Sequence, residues 1–322
     1  MQARKPIASL SFDLDDMWSY MKTHGDPGWE SLPSYLDVLV PRVLDFLKAQ
    51  NLTITFFIVG QDAALERNYK HLGAIAAAGH EIGNHSFRHD PWLHLYSTKE
   101  IETEVAMAEE HIECATGHKP IGFRGPGYSL SQALLQELVR RGYQYDASTL
   151  PNALAPLARA YYFTTASFNP EQRRQRKVLG GTFRDGLRPI RPYRWQMEAG
   201  TLIEMPVTTL PIFRVPIHIS YLLCLRVFSP ALALQYFSAA LKLCQLTGTS
   251  PSLLLHPTDF LGCDDTRDLS FFPGMTLPRA KKLELVSEIL RRLCAVFTVV
   301  PLWQHVQQAA QAFRLPMREP NF

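Results

Sequence analysis

The sequence predicts an α/β fold in which parallel strands are joined by crossover helices. Three observations predict it. Short apolar runs alternate with longer helical patterns along most of the chain. The length, 322 residues, suits one large (β/α) barrel or two ordinary domains. Hydrophobic residues make up 46% and charged residues 20%, enough apolar material for a sizeable core and no sign of bulk disorder.

The elements follow in order. The first apolar run, residues 7–12, leads into Asp13-Leu14-Asp15-Asp16. Pro33 opens a helix whose Leu36, Leu39, Val40, Val43, Leu44 and Leu47 keep the i, i+3, i+4 spacing of a core-facing stripe. A β-rich run at 53–59 ends at Gly60, and a helix at 63–78 is stopped by Gly79. A short strand at 81–83 enters His85. The helix at 97–116 starts with Ser97-Thr98-Lys99-Glu100, a capping-box spacing. Residues 121–124 are extended, 131–141 helical up to Gly142, and 143–147 a strand carrying Asp146. Later strands fall at 202–207, 253–256 and 296–300, the last two preceded by helices at 230–246 and 277–293. No internal repeat is present.

Two stretches break the rhythm. The interval 158–200 holds Arg159, Arg173, Arg174, Arg176, Lys177, Arg184, Arg188, Arg191 and Arg194 against only Glu171, Asp185 and Glu198. Such a basic excursion is either a solvated surface insertion or a contact for phosphate or another anionic group. The apolar segment 207–246 is interrupted by Arg214, His218, Arg226 and Lys242. It reads as barrel helix and loop, with contact to a membrane surface as the alternative. No stretch reaches the roughly 18 apolar residues of a membrane span.

Composition excludes other classes. A net charge of +3 does not suggest a nucleic-acid binder. Cys114, Cys224, Cys244, Cys263 and Cys294 are dispersed and odd in number, as expected of reduced thiols and not of a disulfide frame or zinc knuckle. The first apolar run meets Asp13 too soon to be a secretory core, so the expected location is the cytoplasm.

Polar residues fall where the strands end: Asp13, Asp15 and Asp16 after the first, His85 and His89 after the third, then Arg124, Asp146 and His256. In parallel α/β barrels the loops after strands share one face, so these residues are expected to converge. Two histidines four apart reach one divalent ion from a single turn of chain. With Asp15 they form a two-histidine, one-carboxylate set that suits hydrolytic zinc and also serves iron, cobalt or manganese.

On these segments the chain resembles the polysaccharide deacetylases, carbohydrate esterase family 4. The resemblance runs over about 7–148 and resumes around 253–259. It implies a distorted (β/α) barrel of about seven parallel strands, and a single catalytic domain over 1–322 with a basic insertion at 158–200 and an apolar segment at 207–246. Ser11-Phe12-Asp13-Leu14-Asp15-Asp16 is similar to the Asp-x-Asp variant of peptidoglycan-deacetylase-like and lipid-linked aminosugar deformylase members. That makes Asp13 the base and Asp15 the metal ligand, with Asp16 its rival. His85 and His89 match the His-x-x-x-His ligands, although Asp90 stands where proline is common. Arg124-Gly125-Pro126 matches the segment whose arginine orients the base, with Tyr128 or Gly127 as the main-chain oxyanion donor. The segment 253–256 matches the one ending in the general acid, His256. Asp146 corresponds loosely to the carboxylate that tunes it, and Asp259 is the alternative.

The resemblance implies a metal-dependent carbohydrate N-deacylase that removes acetyl or formyl from an aminosugar, in a polysaccharide or on a lipid carrier. Zinc is the expected ion, with cobalt, nickel or manganese as alternatives. Trp18 and Tyr20, in the aromatic stretch after Asp16, are expected with Tyr128 to line the sugar site. A cytoplasmic intermediate, carried on polyprenyl phosphate at the inner membrane face, is the expected substrate context. An allantoinase-like hydrolase of small cyclic amides and a catalytically silent glycan binder are the competing readings.

Overall fold

A computed structural model of the chain describes residues 5–154, 185–272, 274–312 and 314–321. Its strands are β1 (Ile7–Leu14), β2 (Thr55–Ile58), β3 (Glu81–Asn84), β4 (Gly122–Phe123), β5 (Tyr145–Asp146), β6 (Tyr193–Met197), β7 (Gly200–Glu204), β8 (Ser252–Leu255), β9 (Thr298–Val300) and β10 (Met317–Arg318). The helices are α1 (Met17–His24), α2 (Leu36–Ala49), α3 (Gly60–Ala63), α4 (Tyr69–Ala77), α5 (Thr98–Thr116) and α6 (Gln132–Arg140). They continue with α7 (Ile219–Phe228), α8 (Pro230–Thr247), α9 (Pro257–Phe260), α10 (Arg279–Val296) and α11 (Leu302–Ala312).

Seven strands run parallel in the order β7-β5-β4-β3-β2-β1-β8, the distorted barrel expected from the sequence. The two ends of this series approach each other just beyond β7. There the Thr208 N–H donates to the Ser252 carbonyl at 2.9 Å, and the Ser252 N–H donates to Thr208 Oγ1 at 2.8 Å. β9 pairs with the start of β1, while β6 runs antiparallel to β7 and carries β10 on its outer side. Most of the basic interval expected at 158–200 lies outside the described residues, and its last part forms β6.

Strand β1 organises both layers. Ala8, Leu10, Phe12 and Leu14 point outward into the main core, against the stripe of α2 and residues of α4, α5, α8 and α10. Ser9, Ser11 and Asp13 alternate with them on the inner face, all buried. Sheets covered on both sides normally give continuous apolar runs, so inward polar residues at the second, fourth and sixth places after Ile7 mark a strand whose inner face does chemistry. The register Phe12↔Leu255 puts His256 level with Asp13, and Leu14↔Ile58 and Ile58↔Asn84 bring the ends of β1, β2 and β3 level.

Helix ends follow local chemistry. The capping box at α5 is formed: the Glu100 N–H donates to Ser97 Oγ at 3.4 Å and the Ser97 N–H to Glu100 Oε2 at 2.8 Å. The single helix expected at 63–78 is divided into α3, a 3-10 turn at Glu66–Asn68 and α4. The Asp62 carbonyl there accepts from the Leu65 N–H and from Asn68 Nδ2, which bends the chain before α4 begins. Periodicity also passed over α11 and the short helices α1 and α7.

On α11, His305 is buried against β1, with its Nδ1 2.8 Å from Ser9 Oγ. Burial pushes its imidazole down to about 4 from an ordinary 6.5. The unfolded chain therefore takes up this proton first as pH falls. The associated stability is complete above pH 6.5 and is lost on the way down to about pH 4, a contribution of up to about 3 kcal/mol. Urea unfolding between pH 7 and pH 4 is expected to show this loss, and His305→Gln to flatten that part of the profile.

Candidate active site

Arg124, just after β4, is a buried charged group at the C-terminal mouth of the barrel, 1% exposed. Its Nη1 donates to Asp13 Oδ1 at 2.6 Å and to Ser11 Oγ at 2.8 Å, and its Nε donates to the Ala147 carbonyl at 3.0 Å. The guanidinium lies 4.3 Å above the Phe57 ring. A buried cation requires a counter-charge, and Asp13 is that charge.

The Arg124 carbonyl also anchors His85. A carbonyl only accepts, so His85 Nδ1 carries the proton of this 2.6 Å bond and its Nε2 keeps a lone pair. That Nε2 lies 3.3 Å from Asp15 Oδ1, and His89 Nε2 lies 3.0 Å from the same oxygen. One ligand atom from each of Asp15, His85 and His89 falls within 4.8 Å of the other two. Asp15 Oδ1 is buried, and no donor meets it with hydrogen-bond geometry. Atoms converging at such distances fit coordination, since ligands about 2.0–2.1 Å from a tetrahedral ion are about 3.3 Å apart. The set fits a divalent ion, and the Arg124 carbonyl behind His85 is the outer-shell acceptor that such ligands use.

The electrostatics agree. Burial alone would raise the Asp15 carboxyl, but His89 and His85 outweigh it and hold Asp15 well below the usual carboxylate range. Burial would lower His85, and the charges of Asp13 and Asp15 reverse that and raise it. Asp16, the rival ligand, is turned away. It accepts from the Met17 N–H at 2.8 Å and the Tyr35 N–H at 3.0 Å as the cap of α1. Burial raises its carboxyl to about 6, against these hydrogen bonds.

The loop bearing both histidines is built by residues that sequence reasoning missed. Ser86 and His89 sit at φ 61 and 52, a left-handed conformation rare outside glycine. Glu104 Oε2 accepts the N–H groups of Phe87 and Arg88 at 3.1 and 2.9 Å, and Asn84 Oδ1 accepts that of Ser86 at 2.8 Å. Glu104 lies on the buried face of α5 beside Ile101, Val105 and Ala108. A carboxylate in a core-facing stripe was the available signal.

His256 follows β8 and is half-buried. Its Nδ1 lies 3.1 Å from Ser220 Oγ, which lies 2.9 Å from Asp259 Oδ1. Asp146 is not its partner, which corrects the expectation. Asp146 accepts from Ser148 Oγ and N at 2.6 and 3.2 Å, and Ser148 Oγ in turn accepts from the Gly125 N–H at 2.7 Å. It is fully buried beside Glu204, and burial raises both carboxyls. Two adjacent buried carboxylates cannot both ionise cheaply, so Asp146 belongs to the support under the Arg124 loop.

The aromatic expectations divide. Trp18 is 1% exposed, and its Nε1 donates to Asp62 Oδ1 at 2.8 Å, so it is packing and not sugar wall. Its place in an amphipathic α1, unseen in the sequence, turns it inward. Tyr20 is also buried, edge-on to Phe272 at 4.8 Å, with Asp15, Asp259 and Asp13 as the charges around its hydroxyl. Tyr128 is half-buried at the mouth, beside Asp13, Arg124 and Tyr221. Its N–H donates to the Gly125 carbonyl at 2.9 Å, closing the turn; Gly127 is the exposed residue of that turn.

Residues 4–145 match the polysaccharide deacetylase family model. Over that stretch the chain is similar to the polysaccharide deacetylases. It is 26% identical to the peptidoglycan deacetylase of Helicobacter pylori over 48% of this chain and 53% of that one. It is 33% identical to the peptidoglycan-N-acetylmuramic acid deacetylase of Bacillus subtilis over 34% of this chain and 41% of that one. The matched stretches thus span about half the length of these relatives or less. In fold it is similar to a Mycobacterium smegmatis protein assigned to the polysaccharide deacetylases, with a TM-score of 0.64 at 20% identity, covering 100% of this chain and 95% of that one.

Asp13, Asp15, His85, His89 and Arg124 lie inside the family match, and His256 lies beyond it. Elemental analysis of the purified protein is expected to find close to one divalent ion per chain. His85→Ala and Asp15→Ala are expected to lose it and Asp16→Asn to keep it. Retention in Asp15→Ala would overturn the assignment of the ligand.

Proposed function

We propose that the chain is a metal-dependent hydrolase that removes the N-acetyl group from an aminosugar in a glycan, with N-formyl as the alternative acyl group. The observation that carries this reading is the meeting of two charge systems at one mouth. The Arg124–Asp13 pair lies beside the Asp15, His85 and His89 triad, and His256 stands at the end of the neighbouring strand.

Asp15, His85 and His89 would hold the ion, zinc first among the candidates. When bound, a divalent ion acidifies water and polarises a carbonyl. The chain's own residues do the rest. Asp13 Oδ2 is the carboxylate oxygen not engaged by Arg124, and it lies 4.0 Å from His85 Nε2. It takes the proton of the attacking water, while Arg124 fixes its orientation. An N–H of the Gly125–Tyr128 turn supports the oxyanion, and the Gly127 N–H is the candidate because that of Tyr128 closes the turn. His256 delivers a proton to the departing nitrogen. Tyr128 offers a half-exposed ring for a sugar face.

Acetate release from N-acetylglucosamine oligomers and peptidoglycan fragments, beside formate release from N-formyl aminosugars, tests the reading. Wild type is expected to release one of the two. Asp13→Asn is expected to keep the metal and lose about 10²- to 10⁴-fold in kcat. A metal-loaded protein that releases neither would overturn it.

A finer proposal places the substrate on a polyprenyl phosphate at the cytoplasmic face of a membrane. What supports it is the exposure of Ile212, Phe213, Val227, Phe228, Leu232 and Leu246 within the apolar segment, and the absence of any disulfide partner for the five cysteines. No helix among the described residues is long and apolar enough to cross a membrane. Co-sedimentation with vesicles containing polyprenyl phosphate is the expected outcome. Failure to bind would end the lipid-carrier proposal and leave the deacylase reading standing.

A further inference from the structure

The carboxylate that supports His256 does not touch its ring. Asp259 is three residues further on, in the single turn of α9, and its Oδ2 is turned back to accept the His256 N–H at 2.8 Å. In that position the carboxylate caps the turn. Its other oxygen reaches Ser220, at the start of α7, and Ser220 reaches the ring.

Donor and acceptor roles give this series one direction. An ionised carboxylate only accepts, so the Ser220 hydroxyl donates to Asp259 Oδ1. The serine oxygen then has lone pairs left for the ring, and His256 Nδ1–H is the donor. The proton of neutral His256 therefore sits on Nδ1, and Nε2 is the atom that takes up and releases the catalytic proton.

Asp259 is fully buried, and burial raises its carboxyl against His256, the hydrogen bonds it accepts and a second cation, Lys282. Lys282 is itself buried, and its Nζ donates to the Thr258 carbonyl at 2.7 Å, in the same turn as Asp259. Its positive charge adds to His256 and the two hydrogen bonds in favouring the ionised carboxylate, as the smallest of these influences.

We propose that Ser220 is a positioning residue that couples Asp259 to His256 and fixes the ring tautomer needed for proton delivery to the leaving nitrogen. The proposal rests on the deacylase reading. Ser220 and Asp259 both lie beyond residues 4–145, the segment matched by the family model.

The test uses the metal-loaded full chain with Ser220→Ala, Ser220→Thr, Asp259→Asn and the double variant Ser220→Ala/Asp259→Asn. Ser220→Ala is expected to lower kcat about 10- to 100-fold, the range for outer-shell partners, with KM within about twofold. Ser220→Thr is expected to restore most of the rate, and the double variant to lose no more than the worse single one, as for members of one network. Nitrogen-15 NMR of the His256 ring gives a readout that needs no turnover. The Nδ1-protonated tautomer is expected in wild type and a mixture of tautomers in Ser220→Ala. An unchanged tautomer with unchanged kcat, or additive losses in the double variant, would overturn the coupling. If wild type deacylates nothing, the deacylase reading falls, and the ring tautomer still decides whether Ser220 sets His256.

Discussion

The site depends on one buried guanidinium. Arg124 binds β1 through Ser11 and Asp13, reaches the end of β5 through the Ala147 carbonyl, and holds His85 after β3 through its own carbonyl. Arg124 thereby ties its own strand, β4, to β1 and β5 through its side chain and to the end of β3 through its carbonyl. An unpaired buried cation would cost several kcal/mol, and Asp13 is the carboxylate that pairs with it. The same bond that satisfies Arg124 orients one oxygen of the base and leaves the other facing His85 Nε2.

This arrangement separates two charge systems that would otherwise merge. Asp13 belongs to Arg124, and Asp15 belongs to His85 and His89. The remaining carboxyls nearby are held toward the protonated form by burial: Asp16 at about 6, Asp62 well above its ordinary value, and Asp146 with Glu204 under the Arg124 loop. Burial thus reduces the negative charge that these carboxyls add around the triad. The same low-polarity setting strengthens each remaining interaction.

Much of this was legible in the sequence because it depends on order along the chain. Alternating runs gave the parallel strands, and polar residues just past strand ends gave Asp13, Asp15, His85, His89, Arg124 and His256 as a set. What the sequence did not carry was the direction of side chains. Trp18 looked like a sugar wall because α1 was not recognised, and its turn buries that ring, whereas the Tyr20 hydroxyl lies near Asp15 and Asp13. Asp146 looked like the partner of His256 because both end strands. The barrel, however, sets β5 and β8 on opposite sides of β1, and Asp146 meets Glu204 of β7 instead. Glu104, Ser220 and Lys282 act across helices whose packing no local pattern specifies.

That division has a chemical consequence. In the proposed reaction the base, its arginine and the metal-binding residues come from β1, β3 and β4, whose mutual register is set by adjacent strand pairing. The acid comes from β8, which pairs with β1 on its other side, and the groups that orient it come from α7, α9 and α10. The first half of the chemistry, making a nucleophile, is therefore built into the sheet. The second half, expelling the amine, rests on helix contacts between segments more than thirty residues apart. Helix contacts tolerate small shifts that strand pairing does not, since a strand moves only in whole registers. The hydrogen-bonded series from Asp259 through Ser220 is what removes that tolerance at the ring of His256.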